Sequence, residues 1–100
     1  MNEIVFKYLA KSDLEGMRWL RWLDAEIFPN DNPAVAGTAN WFLAWHDKQA
    51  VAFCGWKPYL LNTDLVGFHY RAGVLNDYRG KGLQKTMVEL REAEIGRAHV

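Results

Sequence analysis

The stretch Val74-Leu75-Asn76-Asp77-Tyr78-Arg79-Gly80-Lys81-Gly82-Leu83-Gln84-Lys85 decides how this chain reads. An alternating apolar run leads into it, and two glycines sit in its middle. Leu83, Met87, Leu90 and the region of Glu94 follow at spacings of four and three. This is a strand entering a turn, and the turn entering a helix. Glycine lets backbone N–H groups come close to a ligand. The first turn of a helix adds unpaired N–H donors and the positive end of the helix dipole, which together suit a phosphate or pyrophosphate. Lys81 and Lys85 add charge beside it. Two phosphate motifs are excluded by spacing. A dinucleotide fingerprint needs glycine where Lys85 stands. A P-loop needs Ser or Thr where Gly82 follows Lys81, and a glycine five residues before Gly80. The same spacing also suits a plain glycine turn before an amphipathic helix.

Upstream, residues 65–75 read as a long strand. Val66, Phe68, Tyr70, Ala72 and Val74 share one face, and Gly67, His69, Arg71 and Gly73 share the other. A turn at 61–64 joins it to a strand over 50–56. A polar hairpin, His46-Asp47-Lys48-Gln49, joins that strand to another over 41–45. The segment 29–40, rich in Pro, Asn, Asp and Gly, reads as a loop. Before it a helix carries Leu14, Met17, Leu20, Leu23 and Ile27 on one stripe. Ser12 and Glu15 have the spacing of a capping box, and Pro29 ends the helix. A first strand covers 4–9, with Ile4, Phe6 and Tyr8 on one face. The order is strand, helix, three antiparallel strands, helix, an α+β layout of a sheet flanked by helices.

One hundred residues allow a single domain, and a 50% hydrophobic content with fourteen aromatic residues argues against disorder. Twelve basic residues balance twelve acidic ones. That speaks against a nucleic-acid binder, which needs a basic face, and against a polybasic membrane-surface protein. No apolar run has the length of a membrane span, and the N-terminal residues lack the apolar stretch of a secretory signal. A single cysteine, Cys54, excludes an internal disulfide framework and suits a cytoplasmic setting.

At Arg79-Gly80-Lys81-Gly82-Leu83-Gln84 the sequence resembles the GNAT superfamily of N-acetyltransferases. The family's motif runs Gln/Arg-x-x-Gly-x-Gly/Ala at the junction of its fourth strand and the next helix. Arg79 and Gly82 match the first and fourth positions, and Gln84 stands at the sixth, where Gly or Ala is usual. Tyr78 and the preceding Val74-Leu75-Asn76-Asp77 look family-like too. The resemblance extends in layout over essentially the whole chain, with specific motif content in about a dozen residues. It implies a three-layer α/β arrangement with a mixed, mainly antiparallel sheet, incomplete at the C-terminus. It also implies acetyl-CoA as co-substrate, with no metal, and direct transfer of the acetyl group to a primary amine. Backbone groups of Ala72, Gly73 and Val74 would pair with the pantetheine arm like an added strand. Amides of Gly80, Lys81, Gly82, Leu83, Gln84 and Lys85, with Arg79 beside them, would hold the pyrophosphate. The alternatives are a non-catalytic CoA- or phosphate-binding module and an interaction domain.

His69 has the intrinsic pKa of a base and lies near the expected thioester end. The competing reading is a half-buried histidine bonded to backbone. Asp64 and Glu26 are further candidate bases. Cys54 reads as a small core residue, His46 as a solvated turn residue, and one cysteine with three scattered histidines makes no zinc set. The tryptophans read as packing, although Trp19, Trp22 and Trp41 could line an acceptor pocket. Ile95-Gly96-Arg97-Ala98-His99-Val100 reads as a translation of ATC GGA AGA GCA CAC GTC, which resembles a sequencing-library adapter. The expectation is a partial domain over 1–94, weakly active or inactive by itself, followed by a non-native tail over 95–100. The competing reading is a helix end with Gly96 as its C-cap.

Overall fold

The computed structural model describes residues 3–33, 39–61 and 64–98, with side chains except at 58–66, 68 and 95–98. Strand β1 (Ile4–Tyr8) leads to helix α1 (Leu14–Ile27). Strands β2 (Asn40–His46), β3 (Gln49–Leu61) and β4 (Asp64–Val74) follow. A single 3₁₀ turn (Asn76–Tyr78) then precedes helix α2 (Leu83–Ala98). The four strands form one sheet in the order β1-β2-β3-β4, and every described pairing is antiparallel. The described strands thus form the mainly antiparallel sheet that was expected.

The helices cover opposite faces. Met17, Leu20 and Leu23 of α1 pack with Trp41, Leu43 and Phe53 on one face of the sheet. Leu83 and Met87 of α2 pack with Phe42, Ala44, Cys54 and Val74 on the other. The result is the three-layer arrangement, with a separate apolar core on each side of the sheet.

Helix α1 starts one residue later than the capping-box reading places it. Asp13 is the N-cap, and its carboxylate accepts the Gly16 N–H at 2.9 Å. Asp is as good a cap as Ser, and here it takes the position beside the first helical residue. Leu14, expected on the buried stripe, is 72% exposed, while Asp24 is buried on it. The helix ends at Ile27 with Phe28 as its cap, as Pro29 requires. On α2 the buried stripe is Leu83, Met87 and Arg91, so it carries a guanidinium in place of an apolar group. The helix continues through Gly96 to Ala98 rather than capping there.

Two β-bulges reset the alternation that the sequence suggests. In β3 the pairing jumps from Ala44↔Ala52 to Trp45↔Ala50, so Val51 and Ala52 both join the α2-side core. In β4 it jumps from Gly55↔Arg71 to Trp56↔His69, which leaves Tyr70 as the extra residue. Beyond Trp56 the pairing with β2 has ended. Pro58 therefore sits where only one side of its strand is bonded, the place a strand tolerates proline. The β2–β3 hairpin turns through Asp47 at φ 57°, a left-handed conformation that Asp tolerates.

Candidate functional site

The bulge at Tyr70 decides which residues of β4 meet. Sequence alternation puts His69 and Arg71 on one side of the strand. The structure separates them. Arg71 lies on the α1 side, where its Nη1 donates to Asp24 Oδ1 at 2.6 Å. Its Nη2 donates to the Asn32 carbonyl at 3.1 Å, and its guanidinium stands 5.1 Å over the Phe28 ring. Tyr70 joins the same side, 5.6 Å from Trp41 and with Lys57 Nζ 3.8 Å over its ring. His69, paired across from Trp56, is exposed and lies within the fields of Arg91 and Glu92 of α2. Its pKa is lowered from 6.5, first by partial desolvation and then by the Arg91 charge, against a pull from Glu92. Neither bulge leaves a mark in the residue pattern, so alternation alone misplaces this pair.

Downstream of the bulge, β4 is the last strand of the described sheet. The Leu75 N–H bonds inward to the Val51 carbonyl at 2.9 Å. By the alternation of an antiparallel ladder, Gly73 also bonds inward, while Ala72 and Val74 turn their N–H and C=O groups to the free edge. The Val74 carbonyl takes a bond from Arg79 Nε at 3.3 Å. Of the three residues expected to meet a pantetheine arm, Gly73 is thus committed to the ladder. Its missing side chain serves α1: a Cβ there would lie 2.9 Å from Ile27 Cγ2 and 3.1 Å from Phe28 Cε2. Arg79, expected at the pyrophosphate, folds back onto the end of β4.

The turn itself has the shape the sequence suggests. Gly80 and Gly82 sit at φ +79° and +78°, the left-handed region that glycine occupies without strain. A Cβ built on either meets nothing within 4 Å, so both face open space. Thr86 N–H donates to the Gly82 carbonyl at 3.2 Å, which starts α2 and leaves the amides of Leu83, Gln84 and Lys85 in its first turn. That turn holds no acidic residue. Leu83 is buried and anchors the helix on the sheet, while Lys81, Gln84 and Lys85 are exposed. The unpaired first-turn N–H groups of a helix, with two cations beside them, can take the two charges of a pyrophosphate.

A contact invisible in the sequence braces this turn. His46, expected to be solvated, is half-buried at the end of β2, and its Nδ1 lies 2.7 Å from the Tyr78 hydroxyl. The two rings meet edge to face at 5.5 Å.

The other candidates separate. Glu26 is exposed on α1. The side chain of Asp64 and the whole of His99 lie outside the described residues. Cys54 is fully buried, and desolvation pushes its thiol up to about 11 despite the pull of Arg91 and of a bond to the Phe42 backbone; it is a core residue. Trp41 is core, packed on Phe53 and Tyr70. Trp19 and Trp22 instead meet edge to face, the first half-buried and the second exposed, and line an open cavity with Arg18 and Gln49 that does not include Trp41. Among the described residues no group of three His, Cys, Asp or Glu side chains could hold a metal, and no helix is long and apolar enough to cross a membrane.

Among solved structures, an aminoglycoside acetyltransferase from an uncultured soil metagenomic sample, in complex with sisomicin, matches 96% of this chain. The match spans 72% of that protein with a TM-score of 0.80 and 14% identity. The NatC complex bound to Gag peptide and CoA matches 97% of this chain and 69% of its own, with a TM-score of 0.80 and 22% identity. The fold is that of the GNAT-type N-acetyltransferases. A ribosomal-protein-alanine N-acetyltransferase from Brucella melitensis shares the GNAT fold with this chain at a TM-score of 0.73 and 16% identity, covering 96% of this chain and 74% of that one. No protein-family model matches the sequence, and no curated protein matches it. At these identities the likeness is one of GNAT architecture: the sheet, its two helices and the strand-turn-helix junction that holds Gly80 and Gly82.

Proposed function

We propose that this chain carries the acetyl-CoA-binding part of an N-acetyltransferase whose acceptor is a primary amine. The observation that supports it is the junction after β4. Two left-handed glycines open onto space, a helix N-terminus without acidic residues follows, and the strand before it is the last of the described sheet. These residues fit a CoA-type ligand: the space beside Gly80 and Gly82 is open to it, and Lys81 and Lys85 supply charge next to the helix N-terminus. The amides of Gly80 to Lys85 would hold the pyrophosphate, helped by Lys81 and Lys85. The outward N–H groups of Ala72 and Val74 and the Ala72 carbonyl would orient the pantetheine amides. When bound, acetyl-CoA supplies an acyl group activated as a thioester. The protein's part is then positioning, which removes the entropy cost of bringing two reactants together.

His69 is the candidate base of this reading. Its lowered pKa keeps the imidazole neutral at pH 7, ready to accept a proton from the amine nitrogen. Cytoplasmic residence accords with the free, buried Cys54.

Isothermal titration of the protein with CoA tests the reading. Binding is expected, and Gly82→Glu should abolish it while leaving the circular dichroism spectrum unchanged, because it sets a carboxylate where the pyrophosphate would lie. A wild-type protein that gives no heat and no thermal stabilisation with CoA refutes the reading. Binding without thiol release over a broad panel of amines would leave a CoA-binding module in place of an enzyme.

A further inference from the structure

The glycine turn is held in place at only a few points. Its open side shows in the space around Gly80 and Gly82, where nothing approaches within 4 Å of a Cβ position. A cleft of about 530 Å³ runs along its flank, lined by His46, Gln49, Asn76, Tyr78 and Lys81. Local bonds shape the segment, Arg79 Nε reaches back to the Val74 carbonyl of β4 at 3.3 Å, and the Tyr78 ring packs against the α2-side core. Tyr78 N–H donates to the Leu75 carbonyl at 2.9 Å, and Arg79 N–H to the Asn76 carbonyl at 3.3 Å. Nearer β4, the Leu75 N–H ties the chain to β3. At the far end, buried Leu83 ties it to the α2-side core. Between those points the described polar tie to a strand other than β4 is the 2.7 Å contact between Tyr78 and His46, residues 32 apart in sequence.

His46 is a rigid post for such a tie. It ends β2, an inner strand, and pairs with Ile4 on one side and Gln49 on the other. Its ring also packs edge to face on the Tyr78 ring, which limits both side chains to one arrangement. A donor array serves an anion only if its N–H groups already point at one place; otherwise binding must order them first.

We infer that His46 is a positioning residue: through the Tyr78 hydroxyl it fixes the turn whose amides bind the pyrophosphate. This rests on the CoA reading above. The strut does not touch the ligand; it sets how well ordered the amides of Gly80 and Gly82 are before the ligand arrives.

Two variants remove one polar end each and keep the rings, His46→Phe and Tyr78→Phe. Each should raise the CoA dissociation constant about fivefold, the scale of one net hydrogen bond. Pantetheine, which lacks the pyrophosphate, should bind both variants as it binds the wild type. The double variant should bind CoA no worse than either single one. His46→Asn places an amide near the Nδ1 position and should restore most of the affinity. An equal loss for CoA and pantetheine would overturn the inference, since it would mean a general loss of structure. Unchanged CoA affinity in Tyr78→Phe would overturn it as well. The ligand-free protein decides the matter even if CoA does not bind. Backbone ¹⁵N relaxation should then show lower order parameters at Gly80 and Gly82 in Tyr78→Phe than in the wild type. Equal order parameters would refute the strut, whereas failure of the wild type to bind CoA would refute only the reading on which its role rests.

Discussion

Two sides of one strand end differ in how their polar groups are used. On the α1 side of β4, Arg71 is tied to Asp24, to the Asn32 carbonyl and to the Phe28 ring, and Gly73 is covered by Ile27 and Phe28. A few residues on, Ala72 turns its backbone groups to the edge of the described sheet, and the space beside Gly80 and Gly82 is open. The first is a closed joint between helix, loop and sheet, and its energy is spent within the chain. The second keeps donors open and is braced only at its margins, which is how a surface is kept available for a ligand. A cation close to the expected chemistry is therefore no evidence of a role in it: Arg71 is structural because its charge is already matched.

The comparison breaks first at the closed joint. Asp24→Ala leaves the largely buried Arg71 guanidinium without its carboxylate, and should cost about 3 kcal/mol in chemical denaturation. Asp24→Asn, which keeps an acceptor, should cost clearly less. Gly73→Ala pushes a methyl group against Ile27 and Phe28 and should cost about 2 kcal/mol by the same measurement, since the packed helix end must shift. The open turn should respond differently. Gly82→Ala meets no atom and suffers only from its left-handed backbone, so a loss of about 1 kcal/mol is expected in denaturation. The smallest effect is that of His69. Its folded pKa lies below 6.5, so the unfolded chain binds its proton more readily. The stability this group allows is complete above pH 6.5 and declines as the pH falls below it. His69→Gln should lose less stability than the wild type between pH 7 and 5, read as a difference in melting temperature. A difference that grows with rising pH would contradict the assigned direction.

Much of the layout is legible in the chain. The alternation in β1, the continuous apolar run of β2, the polar hairpin at Asp47 and the stripe Met17-Leu20-Leu23 each encode an element locally. The glycines at 80 and 82 are legible because a left-handed turn before a helix has few other solutions. What fails is any reading that carries a period across an irregularity. One extra residue at Tyr70 turns the side-chain alternation of β4 over, so that His69 and Arg71 end on opposite faces. The burial of Asp24 on an apolar stripe is equally hidden, because its partner is Arg71, 47 residues away.

The sequence alone determined the order of elements, the antiparallel sheet and the glycine junction that opens α2, since each follows from local backbone preference and hydrophobic period. Only the tertiary structure decided which polar groups remain available. The pairs Asp24–Arg71 and His46–Tyr78 join residues far apart in the chain, and the bulges that aim β4 arise from how strands fit one another. Such contacts depend on three-dimensional proximity, which no local period encodes.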